Sequence, residues 1–299
     1  MRRLIAAGAV LIASFAIAIV PAGAVTNGQP DGNNHPYVGY VDNGVFACSG
    51  TLLSPTVFLT AAHCFSDSVS ALGTNSITDA PIVRASFDPN LINTAPANRV
   101  WWYGSYYFDP DFGLAGGGLQ GFDTHDVAIV IFTAAGCSFP PERTGIKSCG
   151  PIPGAVTSNT YGVLPQENLV DTLEQKTPVD LVGYGVQNFV NGGGPCGGPC
   201  KKTQGESVTR FYAQTALITS NHKNADEFIR LQSNAGGVCF GDSGGPDLLA
   251  RGNGNVVLAV NSFGPNSICT ANSYSYRVDT AQALDWITSE IATQGGSIP

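Results

Sequence analysis

The sequence predicts an all-β protein. Glycine and proline, 37 and 19 residues, make up nearly a fifth of the 299-residue chain. Charged residues are only 12%. Apolar runs are short and are separated by turn residues, a pattern of strands and tight turns rather than of long helices.

Taken in order, the chain opens on Met1-Arg2-Arg3, a short basic start, followed by an apolar stretch over 4–20 and the small residues Pro21-Ala22-Gly23-Ala24. This is the layout of a secretory signal peptide over 1–24; a membrane anchor needs a longer span. Strand-like runs follow at 36–41, 46–53, 57–60, 82–87, 100–107 and 126–132, and a first half is expected over 25–135. The segment 134–176 is rich in Pro, Gly, Ser and Thr, which places a connection at 136–177. A second half is expected over 178–299, with strands at 179–182, 209–218, 227–231, 256–263 and 275–278. Residues 191–205 read as a Gly-rich loop. Leu284, Ile287 and Ile291 stand at helical spacing, so 281–291 reads as a C-terminal helix packed on the second half.

Removing 1–24 takes away Arg2 and Arg3 and no acid, leaving a chain more acidic than the formal −8 of the whole. Such a protein is a poor nucleic-acid binder. After the leader is cut, no membrane association is expected. All eight cysteines follow the leader. An even count in a secreted chain reads as disulfides.

The stretch Cys239-Phe240-Gly241-Asp242-Ser243-Gly244-Gly245-Pro246 sets a hydroxyl among glycines. Alone, it also reads as a plain Gly-rich turn. A serine becomes a nucleophile only beside a base. Four histidines are candidates. His63 ends the run Leu59-Thr60-Ala61-Ala62, which suits a strand entering a tight turn. His125 adjoins an acid but lacks such a turn; His35 and His222 sit in polar contexts and read as solvated. An imidazole base needs a buried carboxylate to orient it, and Asp126, opening the apolar run Val127-Ala128-Ile129-Val130-Ile131-Phe132, suits that role. No pair of histidines has zinc-site spacing, and no metal or organic cofactor is expected.

Thr60-Ala61-Ala62-His63-Cys64, Asp126-Val127-Ala128-Ile129 and Gly241-Asp242-Ser243-Gly244-Gly245-Pro246, in the order His, Asp, Ser, resemble the chymotrypsin/trypsin-like secreted serine endopeptidases of the bacterial type. The resemblance runs from about Val25 to about Ile291. It implies two six-stranded antiparallel β-barrels with the active site between them and a C-terminal α-helix. It implies His63, Asp126 and Ser243 as catalytic residues, and the amides of Gly241 and Ser243 as the oxyanion hole. Cys48 with Cys64 and Cys239 with Cys269 match the family's pairs. Cys137, Cys149, Cys196 and Cys200 allow three pairings, of which the local ones, Cys137–Cys149 and Cys196–Cys200, are preferred.

In the family a small β-branched residue begins the mature enzyme, and its ammonium pairs with the acid before the nucleophile. Cleavage after Ala24 frees Val25, whose partner is then Asp242; signal peptidase itself would make the active terminus. The sequence has Val25-Thr26-Asn27-Gly28 where the family usually has Ile-Val-Gly-Gly. The segment from Asp109 to Phe122, with Gly116-Gly117-Gly118, exceeds what compact members use and is expected to overhang the cleft. Tyr184 stands where the family commonly has Trp.

The resemblance places the substrate pocket at Gly237, Val238, Ser262, Phe263 and Gly264, with Ser262 also bonded to Asp126. Basic-specific members carry an acid where Gly237 stands. An unpaired cation buried there is costly, so an uncharged, apolar residue before the cut is expected. Asp247 is an acid that the sequence does not place. Expected partners are protein or peptide substrates and, as an option, a protein inhibitor, with the chain monomeric and extracellular. The rival reading is a catalytically inactive protease-fold protein used for binding or adhesion; an α/β-hydrolase-type esterase is disfavoured by the order His, Asp, Ser.

Overall fold

The structure, a computed structural model, describes residue 25 and residues 28–113, 124–136, 145–186, 188–192, 200–204, 208–219, 227–232, 237–252, 254–264, 269 and 271–299. The leader expected at 1–24, the central part of the long segment before Asp126, His222, Cys137 and Cys196 lie outside the described residues.

Strands dominate. In the first half they are β1 (Gln29–Pro30), β2 (Val38–Asp42), β3 (Ala47–Ser54), β4 (Val57–Thr60), β5 (Ile82–Ser86), β6 (Val100–Phe108), β7 (Ala128–Ile131) and β8 (Ile146–Cys149). A one-turn helix α1 (Gly154–Thr157) comes next. The second half holds β9 (Pro178–Gly183), β10 (Asn188–Gly192), β11 (Cys200–Gln204), β12 (Phe211–Thr219), β13 (Phe228–Leu231), β14 (Pro246–Leu249), β15 (Val257–Phe263) and β16 (Ser273–Arg277), then α2 (Ala281–Thr293).

Two closed six-stranded antiparallel barrels result. The first runs β5-β2-β3-β4-β7-β6 and closes through β5–β6; the second runs β12-β13-β16-β15-β14-β9 and closes through β12–β9. Each carries one strand more than the resemblance implies. β8 adds to β6 in parallel, and β1, from the start of the chain, pairs with β12 of the second barrel. The stretch read as a Gly-rich loop, 191–205, overlaps the end of β10 and includes β11, which pair as a separate hairpin.

Burial explains the strands. Phe58, Leu59, Val83, Ile129 and Val130 of the first barrel's strands are buried in one apolar cluster, and Val179, Leu181, Ile229, Leu231 and Leu258 of the second barrel's strands in another. Helix α2 is capped by the Thr280 hydroxyl, which accepts from the Ala283 amide at 3.2 Å. Packing on the second barrel was expected, but its main strand contact is with β7 of the first. The reason is its buried stripe Ala283, Ile287, Ile291, which joins the apolar cluster containing Val57 and Ile131. Among the described residues no helix is long and apolar enough to cross a membrane.

The registers bring distant residues together. β4 and β7 are antiparallel with Thr60 opposite Ala128. The turn leaving β4 therefore meets the segment entering β7, and these carry His63 and Asp126. Likewise Pro246 of β14 stands opposite Val260 of β15, which sets Ser243 near Ser262.

Candidate active site

His63 lies in a single 3₁₀ turn, Ala62–Cys64. The Tyr106 hydroxyl, from β6, clamps this turn by donating to the carbonyls of Ala61 (3.0 Å) and Ala62 (2.7 Å). A disulfide from Cys64 to Cys48 on β3 ties it down from the other side. The His63 backbone amide donates to Asp126 Oδ1 at 2.9 Å, and its Nδ1 lies 2.7 Å from Asp126 Oδ2. That contact fixes the ring with Nε2 left for other work.

Asp126 is 2% exposed. Burial alone pushes its carboxyl up, but the charge and hydrogen bonds of His63 and a hydrogen bond from Ser262 outweigh it, and the pKa falls below the usual carboxylate range. The Ser262 hydroxyl donates to Asp126 Oδ2.

His125 takes no part in this. It is buried with a left-handed backbone (φ 62°). Its Nδ1 lies 3.0 Å from Asp109 Oδ2, and Gln282 of α2 reaches its Nε2 at 3.0 Å. His35 differs from the solvated reading: its Nδ1 contacts Asp31 Oδ1 at 2.5 Å, and the ring stacks on Tyr212. The same aspartate also accepts from the fully buried Arg210, so one carboxylate holds both side chains.

The loop before Ser243 is sterically specified. Gly241 has φ +94° and Gly244 φ +74°. A Cβ on Gly244 would come within 2.1 Å of Thr60 Oγ1 and 2.7 Å of the Ser49 carbonyl. No other residue fits there. The Gly241 carbonyl accepts from Ser49 Oγ at 2.8 Å, the Phe240 carbonyl from Val186 N at 2.8 Å, and the Ser243 carbonyl from Ser49 N at 2.8 Å. With those carbonyls turned away, no acceptor among the described residues takes the Gly241 or Ser243 amide.

Asp242 is fully buried. It accepts from Gly185 N (2.9 Å), Cys239 N (3.0 Å) and the backbone amide of Val25. Burial outweighs these bonds and pushes its pKa up to about 7. Val25 itself has no exposed surface and packs with Val179, Leu181 and Ile229 in the second barrel. Residue 25 thus reaches the acid that the sequence paired with it.

Ser243 and His63 face the same cavity, about 310 Å³, whose wall includes Val238, Phe263, Gly264 and the Cys239–Cys269 disulfide. Gly237, buried just before Val238, lies outside that lining. Asn261 does line it, a residue that sequence reasoning missed because nothing in a strand pattern marks which barrel face meets a cleft. A second cavity, about 410 Å³, touches His63 and Ser243 from the side of Phe46, Phe240 and Gly241. Of the remaining cysteines, Cys149 is disulfide-bonded, while the side chain of Cys200 is outside the description. Two groups among the described residues combine metal-ligand types. Cys48, His63 and Cys64 offer no thiolate, since both cysteines are bridged. Asp109, Asp111 and His125 lie together, with the imidazole already bonded to Asp109.

The chain matches a family model described as Trypsin over residues 25–86 and 157–287. The chicken (Gallus gallus) urokinase-type plasminogen activator is 25% identical over 253 residues, 82% of this chain and 51% of that protein. The chain thus spans about half the length of this curated relative. Among solved structures, human heparin binding protein superposes with a TM-score of 0.58 at 16% identity, covering 92% of this chain and all of that one. A structure named HL collagenase gives 0.56 at 18% identity, covering 90% and 99%. At these identities the solved structures speak for the fold alone. The bacterial type finds no support in relatives from a bird and a human.

Proposed function

The chain belongs to the trypsin family, and from that premise we propose that it is a secreted serine endopeptidase working through Ser243, His63 and Asp126. The observation that carries this reading is Asp126 held between His63 and Ser262, with His63 and Ser243 on one cavity.

Ser243 Oγ attacks the peptide carbonyl while His63 Nε2 takes its proton. Asp126 stabilises the imidazolium and stays ionised, in keeping with its lowered pKa. The carbonyl oxygen becomes an oxyanion between the Gly241 and Ser243 amides, each such donor being worth roughly 10²–10³ in rate. The tetrahedral adduct collapses, the C–N bond breaks, and His63 returns the proton to the leaving amine. Water then repeats the sequence on the acyl-enzyme and frees Ser243. None of these steps calls on a metal or an organic cofactor.

The active form begins at Val25. Once residues 1–24 are removed, the Val25 nitrogen becomes an ammonium beside the Asp242 carboxyl, and the pair holds the oxyanion loop. Domain limits at 25–135, 136–177 and 178–299, secretion, a monomeric state and local pairing of Cys137 with Cys149 and of Cys196 with Cys200 belong to the same reading. The substrate residue before the cut is uncharged. Val238, Phe263 and the disulfide offer a cation no counter-charge within the cavity lining. Phe263 and Gly264 present a strand edge to an extended substrate.

Labelling by a peptidyl phosphonate, mapped to Ser243 and abolished in Ser243→Ala together with peptide cleavage, is the expected result. A correctly folded protein that begins at Val25 and neither labels nor cleaves belongs instead to the binding or adhesion reading, which the name of the heparin binding protein neighbour keeps in view.

A further inference from the structure

The core of the second barrel holds a polar cluster that the mechanism above does not use. Asp247 on β14 stands opposite Ala259 of β15; Asn261 lies two residues further along β15, on the same face, and stands opposite Ser275 of β16. All three are at most 1% exposed, in the barrel whose apolar cluster includes Val179, Leu181, Ile229, Leu231 and Leu258. The Ser275 hydroxyl donates to Asn261 Oδ1 at 3.3 Å, which orients the carboxamide. Asn261 Nδ2 and both oxygens of Asp247 have no hydrogen-bond partner among the described residues. Leaving such groups dry and unpaired costs about 1–3 kcal/mol each. Of the three, Asn261 is the one that reaches the cavity shared by Ser243 and His63.

We propose that Asn261 is a specificity-determining residue, its amide nitrogen donating to the side-chain carbonyl of a glutamine or asparagine on the substrate residue before the cut. The inference rests on the endopeptidase reading and narrows its uncharged substrate class from apolar to carboxamide. Substrate binding gives the orphan donor its acceptor, while Val238 and Phe263 cover the methylenes. A leucine of similar volume fills the space and leaves the donor unpaired. Among the described residues that line the cavity, none carries a carboxylate to meet a cationic side chain. Burial pushes the Asp247 carboxyl up to about 8.

The test uses the full-length mature protein and fluorogenic peptides that differ only in the residue before the cut: Gln, Leu, Phe or Arg. The wild type is expected to favour Gln over Leu by about tenfold in kcat/KM, the scale of one neutral hydrogen bond. Asn261→Leu removes that preference and raises cleavage after Leu. Ser275→Ala leaves the cavity wall in place, frees the carboxamide to turn, and is expected to cut the ratio severalfold; it carries the test if Asn261→Leu fails to fold. Cleavage without a Gln preference, or a ratio unchanged in these variants, overturns the inference and leaves the endopeptidase standing. No cleavage of any peptide overturns both.

Discussion

Ser49 of the first barrel grips Gly241 of the second: its hydroxyl donates to the Gly241 carbonyl at 2.8 Å and accepts from the Tyr184 amide at 2.9 Å. One buried hydroxyl thereby holds the peptide unit that follows Gly241 and ties the barrels at the point where the oxyanion would form. Removing it leaves a carbonyl and an amide unpaired in a dry interior. Ser49→Ala is expected to lower kcat about tenfold, the cost of one such bond, with KM nearly unchanged. Steady-state kinetics, normalised to active sites titrated with the phosphonate, check this split.

Asp126 should act through His63 without touching substrate. Asp126→Asn keeps the fold but invites the wrong tautomer, and kcat should fall by roughly 10⁴. The folded carboxylate holds its proton less tightly than the unfolded one. Its contribution to stability is therefore complete above the unfolded pKa and fades as pH falls through the lower folded value. Urea titrations across the acid range should show the wild type losing this increment on acidification and Asp126→Asn lacking it.

Asp242 has the opposite sign in the chain that still carries residues before Val25. Its folded pKa, near 7, is above the unfolded value. The uncleaved chain is therefore favoured below about pH 4 and loses that contribution as pH rises through 7. A chain beginning at Val25 offers an ammonium, which reverses the preference. The melting temperature of the uncleaved form should drop between pH 5 and pH 8 relative to the form starting at Val25. Asp242→Asn should flatten the difference.

Gly244→Ala asks for a Cβ within 2.1 Å of Thr60 Oγ1, on a backbone at φ +74°. Either the loop or β4 must move. A loss of about 2–3 kcal/mol in unfolding free energy is expected, along with most of the activity, since Ser243 is the neighbouring residue. Denaturant midpoints and phosphonate titration report the two effects separately.

Cys48 and Cys64 close a loop of 16 residues next to His63. Replacing both with alanine should cost about 3 kcal/mol. Activity at low temperature should survive better than stability, because Tyr106 still clamps the His63 turn. Parallel melting curves and turnover assays decide it.

Much of this was legible in the chain. Alternating apolar runs located most strands, and three short motifs named His63, Asp126 and Ser243 before any geometry. Strands β1, β8, β10, β11 and β14 were not foreseen. β14 opens on Pro246 and buries Asp247, so its hydrophobic signal is broken by the residue that matters most there. The hairpin β10–β11 flanks a Gly-rich stretch whose composition reads as loop. His35 was misplaced because its partner, Asp31, is itself tied to Arg210 far along the chain.

By itself the sequence determined the all-β class, the family and the candidates for the reacting side chains, because strand periodicity and short motifs are local. Only the tertiary structure decided where α2 packs, that Ser49 reaches Gly241, and that Asn261 rather than Gly237 lines the cavity beside Ser243. Those relations are set by strand register and by the closure of two barrels on each other. A one-residue shift in pairing turns a side chain from cleft to core, and no local pattern encodes that choice.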